Sequence, residues 1–178
     1  PLLAQGCSRR EPKFHSVDLT GVDWGRDFEV PDIDGRVRRV ADFRGKVVLL
    51  FFGFAQCPDV CPTALTRALE VRRLLGDAGK RLQVVFMTID PERDTAVVLR
   101  EYLSAFDPAF VGLRADDALT LATAQAFRVV YMKVPTGASY TMDHTAITYV
   151  FDAAGRLRLG APHRLSAADL AADIERLL

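Results

Sequence analysis

The most informative stretch of the sequence is Val47-Val48-Leu49-Leu50-Phe51-Phe52-Gly53-Phe54, which continues as Ala55-Gln56-Cys57-Pro58-Asp59-Val60-Cys61-Pro62. An unbroken apolar run of this length is typical of a strand that is buried on both faces in the middle of a sheet. Pro62 suits the first position of a helix, because the N–H that it lacks would have no partner there. We therefore predict a strand, a loop that carries two cysteines, and a helix from Pro62 to about Leu75.

Further regular elements are predicted on both sides of this unit. Before it, Phe28 to Val40 alternates apolar and polar residues around Asp34-Gly35, which predicts a hairpin. After it, the pattern predicts strands at 82–89, 110–113, 129–134, 145–151 and 156–160, and helices at 95–106, 117–127 and 166–178, the last capped by Ser166. This order indicates an α/β fold with an N-terminal β-hairpin and one central mixed β-sheet flanked by helices. We assign residues 14–178 to a single domain and residues 1–13 to a flexible tether.

The composition is that of an ordinary globular protein. The 178 residues are 49% hydrophobic, and 23 lysines and arginines balance 23 acidic residues. A neutral chain without a basic stripe gives no electrostatic reason to bind nucleic acid or an acidic membrane surface. No segment approaches the roughly 20 apolar residues that a membrane helix requires.

The first eight residues have two interpretations. Pro1-Leu2-Leu3-Ala4-Gln5-Gly6-Cys7-Ser8 resembles the end of an export signal that stops at a lipid-attachment cysteine, with the small Gly6 directly before Cys7. This interpretation predicts a lipoprotein that is anchored through Cys7. The alternative is a flexible terminal segment with an incidental thiol.

The pair Cys57 and Cys61 is the main candidate for chemistry. It follows the predicted buried strand, at the sheet edge where ligands collect in α/β folds. Cys61 is expected at a helix N-terminus, where the helix dipole favours the thiolate that acts as nucleophile and as metal ligand. The three-residue spacer allows a disulfide and equally well offers two soft ligands, so the pair alone leaves redox and metal roles open. A peroxiredoxin role is disfavoured, because Pro58 stands where that chemistry needs Thr or Ser.

A histidine distinguishes the metal role from the redox role. His144 comes directly before a predicted core strand, whereas we assign His15 to the tether and His163 to an exposed turn. Copper favours soft sulfur when it is reduced and accepts imidazole in both oxidation states. We therefore predict a copper site formed by Cys57, Cys61 and His144.

Three aspartates near these residues have two interpretations each. Asp90 and Asp94 follow a predicted core strand on the same sheet edge as the cysteine loop, which is compatible with partner recognition. The alternative for them is loop architecture, with Asp94 capping the next helix. Asp143 is interpreted either as a partner that orients the His144 imidazole or as a solvated carboxylate.

The chain resembles the Sco/SenC proteins, which are copper chaperones of cytochrome c oxidase assembly. The resemblance runs from about Asp18 to Leu178 and is most specific in three motifs: residues 52–62, Thr88-Ile89-Asp90-Pro91-Glu92-Arg93-Asp94-Thr95, and Asp143-His144-Thr145. It implies a thioredoxin-like fold in which Cys57, Cys61 and His144 bind Cu(I) or Cu(II).

The resemblance also implies a client and a location. The protein is expected to deliver copper to the dinuclear copper site of cytochrome c oxidase subunit II, or to keep the cysteines of that site reduced. Another cuproenzyme is the alternative client, and other copper chaperones or thiol reductants are further expected partners. We expect a monomer that is anchored at the periplasmic side of the bacterial inner membrane. The alternative function is a thiol–disulfide oxidoreductase that uses the Cys57/Cys61 pair.

Overall fold

The computed structural model describes residues 13–178 and contains ten strands and four α-helices in that part of the chain. The strands are β1 (Val17–Asp18), β2 (Val30–Pro31), β3 (Val37–Arg38), β4 (Val47–Gly53), β5 (Leu82–Thr88), β6 (Val111–Leu113), β7 (Tyr131–Thr136), β8 (Ser139–His144), β9 (Ile147–Phe151) and β10 (Leu157–Pro162). The helices are α1 (Val60–Leu74), α2 (Ala96–Ser104), α3 (Asp117–Ala126) and α4 (Ala167–Glu175).

Six strands form the central sheet, in the order β1-β10-β9-β4-β5-β6. Strands β4, β5 and β6 are parallel to one another, whereas β9, β10 and β1 continue the sheet antiparallel. The predicted mixed sheet is therefore confirmed. Every residue of β4 and β5 is buried, as the unbroken apolar run predicted. Each fully buried Leu or Phe side chain contributes about 1.5–3 kcal/mol, so these two central strands form the stable frame on which the cysteine loop is built.

The predicted N-terminal hairpin is present as β2 and β3, which pair antiparallel. Gly35 has a φ of +82° in the turn between them, a conformation that glycine adopts without steric cost. The hairpin lies against the edge strand β6, where the Ile33 N–H donates to the Gly112 carbonyl at 3.0 Å. It thereby covers one edge of the central sheet, which would otherwise expose unpaired backbone groups.

Helix α1 begins two residues earlier than the sequence indicated. Its N-cap is Asp59, so Cys61 and Pro62 are its second and third residues, and the prediction that Pro62 opens the helix is wrong. The first four N–H groups of any helix lack an intrahelical partner, so proline is also tolerated at the third position. The shift places Cys61 within the first turn of α1, two residues further into the helix than we predicted.

The observed fold also differs from the predicted one by a hairpin that we did not predict from the sequence. Strand β8 pairs antiparallel with β7, and the two are joined by a turn in which Gly137 has a φ of +65°. His144 is the last residue of β8, and β9 begins at Ile147. The predicted strand at 145–151 is therefore shorter at its start, and the histidine belongs to the preceding hairpin.

The N-terminal predictions are only partly covered by the structure. Residues 1–12, with Cys7, lie outside the described residues, so the tether and the lipid attachment stay predictions. The assignment of His15 to the tether is wrong, because its backbone N–H and that of Ser16 donate to the Asp173 carboxylate of α4 at 2.9 and 2.8 Å. Within residues 13–178, none of the helices has the length and apolarity to cross a membrane.

Candidate metal centre

The two cysteines lie at the carboxyl end of the central strand β4. Cys57 is in the loop that joins β4 to α1 and is half-buried, whereas Cys61 is fully buried in the first turn of α1. The Cys57 N–H donates to the Phe54 carbonyl at 3.2 Å, and the Cys61 N–H donates to the Cys57 sulfur at 3.4 Å. Neither cysteine forms a disulfide. The loop thus holds the two sulfurs on the same side, one accessible and one enclosed.

The His144 side chain reaches the same point from the β7–β8 hairpin. Its Nδ1 lies 3.0 Å from the Thr145 carbonyl oxygen, and its Nε2 lies 3.7 Å from the Cys61 sulfur. A carbonyl oxygen only accepts hydrogen bonds, so in the neutral imidazole Nδ1 carries the hydrogen and the lone pair of Nε2 is directed at the cysteines. The rings of Phe51 and Phe54 pack edge-on against the imidazole, each with its centroid 6.0 Å away. These contacts fix both the tautomer and the direction of the side chain.

Cys57, Cys61 and His144 form a group of three potential ligands, whose atoms all lie within 4.8 Å of one another. A metal in a trigonal plane, about 2.3 Å from each sulfur and about 2.0 Å from the nitrogen, would separate these atoms by roughly 3.7–4.0 Å. The 3.7 Å between Cys61 and His144 already equals the separation expected for a sulfur and a nitrogen. Two sulfurs and one imidazole are a soft donor set that fits copper. No second group of this kind occurs among residues 13–178.

The pKa values of Cys57 and Cys61 are shifted in opposite directions. The hydrogen bond from the Cys61 thiol lowers the pKa of Cys57 to about 3, although partial burial opposes this. The same hydrogen bond and the burial of Cys61 raise the pKa of Cys61 far above its usual range. At neutral pH the pair therefore holds one thiolate at the accessible position and one thiol at the enclosed position.

The other two histidines lie outside this group. His15 faces α4, where its Nδ1 is 3.5 Å from an Asp169 oxygen. His163 lies in the turn after β10, as predicted, but it is half-buried, and its carbonyl accepts a hydrogen bond from Arg67. Neither is near the cysteines, so the structure brings together the three residues that the sequence singled out and leaves the other histidines apart.

Of the three aspartates in the motifs, Asp90 and Asp94 are buried beside the site and Asp143 is exposed. Asp143 is exposed, and the imidazole of His144 is oriented by a backbone carbonyl, so the interpretation of Asp143 as the orienting group is wrong. Asp90 and Asp94 are buried, which removes them from direct partner recognition. Asp94 does not cap α2, because Thr95 does so through its side-chain oxygen. The Asp94 carboxylate instead accepts the Ala55 N–H at 3.0 Å and so holds the start of the cysteine loop.

Sequence reasoning missed one residue beside the candidate ligands, Gly53. A Cβ at this position would lie only 2.8 Å from the Cys61 sulfur, so the sulfur occupies the space that a side chain would take. An isolated glycine inside an apolar strand often marks such a close approach, and that signal was present in the sequence.

Comparison with known proteins places these features in a family. The SCO1/SenC family model matches residues 18–178. A SCO2-like protein of Rickettsia felis is 38% identical over 138 residues, which cover 76% of this chain and 67% of that protein. A mitochondrial SCO2 homolog of Bos taurus is 38% identical over 151 residues, which cover 83% of this chain and 56% of that protein. The matched region is therefore only about half to two thirds of these relatives.

Solved structures share the fold over nearly their whole length. The structure of ScoI from Bradyrhizobium japonicum with copper bound has a TM-score of 0.76 and 39% identity, covering 85% of this chain and 98% of that one. The solution structure of apo Sco1 from Thermus thermophilus has a TM-score of 0.79 and 38% identity, covering 93% of this chain and 98% of that one. The predicted thioredoxin-like fold and the predicted family are both confirmed. The chain belongs to the SCO1/SenC family.

Proposed function

We propose that the protein is a copper chaperone of cytochrome c oxidase assembly, with Cys57, Cys61 and His144 as its copper ligands. The observation that carries this function is the convergence of two sulfurs and one imidazole within 4.8 Å. Copper is favoured as the metal because the donor set is soft and because the similar proteins from Bradyrhizobium japonicum and yeast have copper-bound structures.

The difference in exposure between the ligands sets the order of transfer. Cys57 lies in a loop and is half-exposed as a thiolate, so a client cysteine can displace it first. Cys61 is fully buried in α1, so it should be the last ligand to leave. Stepwise exchange keeps copper bound to sulfur throughout, because each departing thiolate is replaced before the next one leaves. Each cysteine that leaves copper stays a thiolate or takes up the proton that the incoming client thiol releases, so no electrons are transferred.

The client and the location are supported by family membership and by the N-terminal sequence. The dinuclear copper site of cytochrome c oxidase subunit II is the proposed destination, with other copper chaperones or thiol reductants as the proposed suppliers. The proposed location is the periplasmic side of the bacterial inner membrane, with lipid on Cys7 as the anchor, since Gly6-Cys7 fits a lipid-attachment site. When the chain is expressed behind a lipoprotein export leader in cells given a labelled fatty acid, the wild type should carry the label and Cys7→Ser should not. A wild-type protein without the label would refute anchoring through Cys7.

Addition of Cu(II) to the reduced protein tests the metal site. We expect a thiolate-to-copper charge-transfer absorption that is lost in Cys57→Ser and Cys61→Ser and is lost or shifted in His144→Ala. His163→Ala and His15→Ala are matched controls, because these histidines lie outside the ligand group, and they should keep the wild-type spectrum. A His144→Ala protein with unchanged spectrum and affinity would show that the ligand assignment is wrong.

A thiol–disulfide oxidoreductase is the second candidate, and the low pKa of Cys57 favours it. The Cys57 thiolate would attack a client disulfide and release one client thiolate, and Cys61 would then attack the mixed disulfide. The client would gain two thiols while Cys57 and Cys61 become a disulfide, which a dithiol reductant must reduce again. Reductase activity that survives His144→Ala while copper binding is lost would show two separable roles. Absence of activity toward a disulfide-bonded client peptide would exclude this candidate.

A further inference from the structure

The histidine ligand is carried by an element that has little support from the central sheet. Strands β7 and β8 pair only with each other, and a two-stranded hairpin alone is marginally stable in water. The residues of β7 from Met132 to Thr136 are exposed, so this strand is not packed into the core. The position of His144 relative to the cysteines must therefore depend on contacts that the hairpin makes elsewhere.

Besides the buried side chain of Met142, a set of polar contacts joins the hairpin to Arg93, in the loop between β5 and α2. The Arg93 guanidinium lies 3.7 Å from the centre of the Tyr140 ring, and its Nη1 donates to the Tyr140 carbonyl at 2.7 Å. Its Nε donates to the buried carboxylate of Asp90, which also accepts the Tyr140 hydroxyl at 2.8 Å. The Arg93 side chain is only 16% exposed, so this stacked and hydrogen-bonded contact is largely shielded from solvent.

The same loop also holds the cysteine side of the site. The Asp94 carboxylate accepts the Ala55 N–H at 3.0 Å and the Thr88 hydroxyl at 2.6 Å, and Ala55 lies two residues before Cys57. The guanidinium of Arg93 lies 5.9 Å from the Phe54 ring, which itself packs against His144. One short loop therefore contacts both the segment that carries the sulfurs and the hairpin that carries the imidazole.

We infer that Arg93, through its contact with Tyr140, is a positioning residue for copper coordination: it holds the β7–β8 hairpin so that His144 stays next to Cys61. Arg93 itself offers no ligand to a soft metal, and it acts through the imidazole. Without it, the hairpin would bring the imidazole to the cysteines for only part of the time. If that fraction fell to about a tenth, the apparent Kd for copper would rise about tenfold. This inference rests on the proposed function, because it takes His144 as a copper ligand.

A double-mutant cycle tests the inference. Copper affinity is measured by competition with a chelator for the wild type, Arg93→Gln, His144→Ala and the double variant. When His144 is present, we expect Arg93→Gln to weaken copper binding about tenfold. In the His144→Ala background the same substitution should weaken it by no more than about twofold, because Arg93 acts through the imidazole. The ring resonances of His144 in the apo protein should broaden or shift in Arg93→Gln.

The controls separate positioning from general destabilisation. Lys133→Gln removes an exposed ion pair with Glu92 and the contact of the Lys133 ammonium with the Tyr140 ring, 4.6 Å from the ring centre. It leaves the contacts of Arg93 in place, so it should change affinity by no more than about twofold. Tyr140→Leu removes the same stack from the hairpin side and replaces Arg93→Gln if that variant fails to fold.

Two outcomes distinguish a failure of the positioning role of Arg93 from a failure of the ligand assignment. An equal loss of affinity from Arg93→Gln in both backgrounds, or no loss in either, overturns the positioning role and leaves the ligand set intact. A His144→Ala protein with wild-type affinity overturns the ligand set itself.

Discussion

Gly53→Ala probes how tightly the central strand is packed against the buried sulfur of Cys61. The added Cβ would lie 2.8 Å from the Cys61 sulfur, 2.9 Å from Cε1 of Phe51 and 3.0 Å from Cε2 of Phe86. Contacts this short force a neighbour to move, and two phenyl rings in a close-packed core have little freedom to do so. The sulfur is the group that can rotate away, and that rotation takes it from the position in which it faces His144.

These contacts set the expected losses of stability and of copper affinity. Adding a methyl group to a packed core costs about 1–3 kcal/mol, and the reduced freedom of the unfolded chain offsets about 0.4–1 kcal/mol of this. The free energy of unfolding should fall by about 1–2 kcal/mol, which lowers Tm by about 2–8 °C in a domain of this size. To bind copper, the displaced Cys61 sulfur must turn back toward His144 against the new Cβ. If this costs about 1.4 kcal/mol, copper binding weakens about tenfold.

Urea unfolding and copper competition on the same samples measure both effects. Gly112→Ala is a matched control in β6, where the new Cβ would lie 2.8 Å from a Leu103 methyl and 3.1 Å from an Ile33 methyl. It crowds mobile side-chain ends that lie away from the ligands, so it should cost stability while copper affinity stays unchanged. Wild-type stability and affinity in Gly53→Ala would refute the reasoning. Equal losses of affinity in both variants would show that general destabilisation weakens copper binding.

Two further outcomes follow from the described contacts. Copper affinity should rise about tenfold per pH unit near neutrality, because the Cys61 thiol must lose a proton on binding while Cys57 is already a thiolate. Competition titrations at several pH values measure this dependence, and an affinity that does not change with pH would contradict it. Arg67→Met should lower the free energy of unfolding by about 2–4 kcal/mol, because the buried guanidinium donates to three carbonyls at 162–165 that would lose their partner. Its copper affinity should stay at the wild-type value, and a large loss would show that this contact reaches the site.

The central sheet and the cysteine loop could be predicted because their signal is local. The apolar run from Val47 predicts burial on both faces, and the strand ends at Gly53 within one residue of the predicted end. The start of α1 was less well defined, because the first-turn N–H groups have no partner and Pro62 is tolerated at more than one position. The periodicity of apolar residues distinguishes a helix from a strand, whereas the exact residue at which an element begins or ends depends on single hydrogen bonds.

The hairpin that carries the histidine could not be predicted in the same way. Ser139 to His144 alternates polar residues with Tyr140 and Met142, but only Met142 is buried, so the alternation is a weak signal for a strand. Its pairing with β7 is satisfied by backbone groups, which any sequence supplies. For the same reason the sequence did not indicate that the Thr145 carbonyl orients the imidazole, and the only orienting group that the sequence suggested was Asp143, with a solvated carboxylate as the alternative.

The predictable and unpredictable parts of the fold correspond to the two halves of the site. The sulfurs come from a segment whose burial is set by its own sequence, whereas the imidazole depends on contacts such as the one between Tyr140 and Asp90, fifty positions apart in the chain. A change in β4, such as Gly53→Ala, must therefore alter stability and copper affinity together. A change at the contact of the hairpin with the 90–94 loop can alter copper affinity while the core stays intact. The hairpin is consequently where copper handling can vary independently of the stability of the fold.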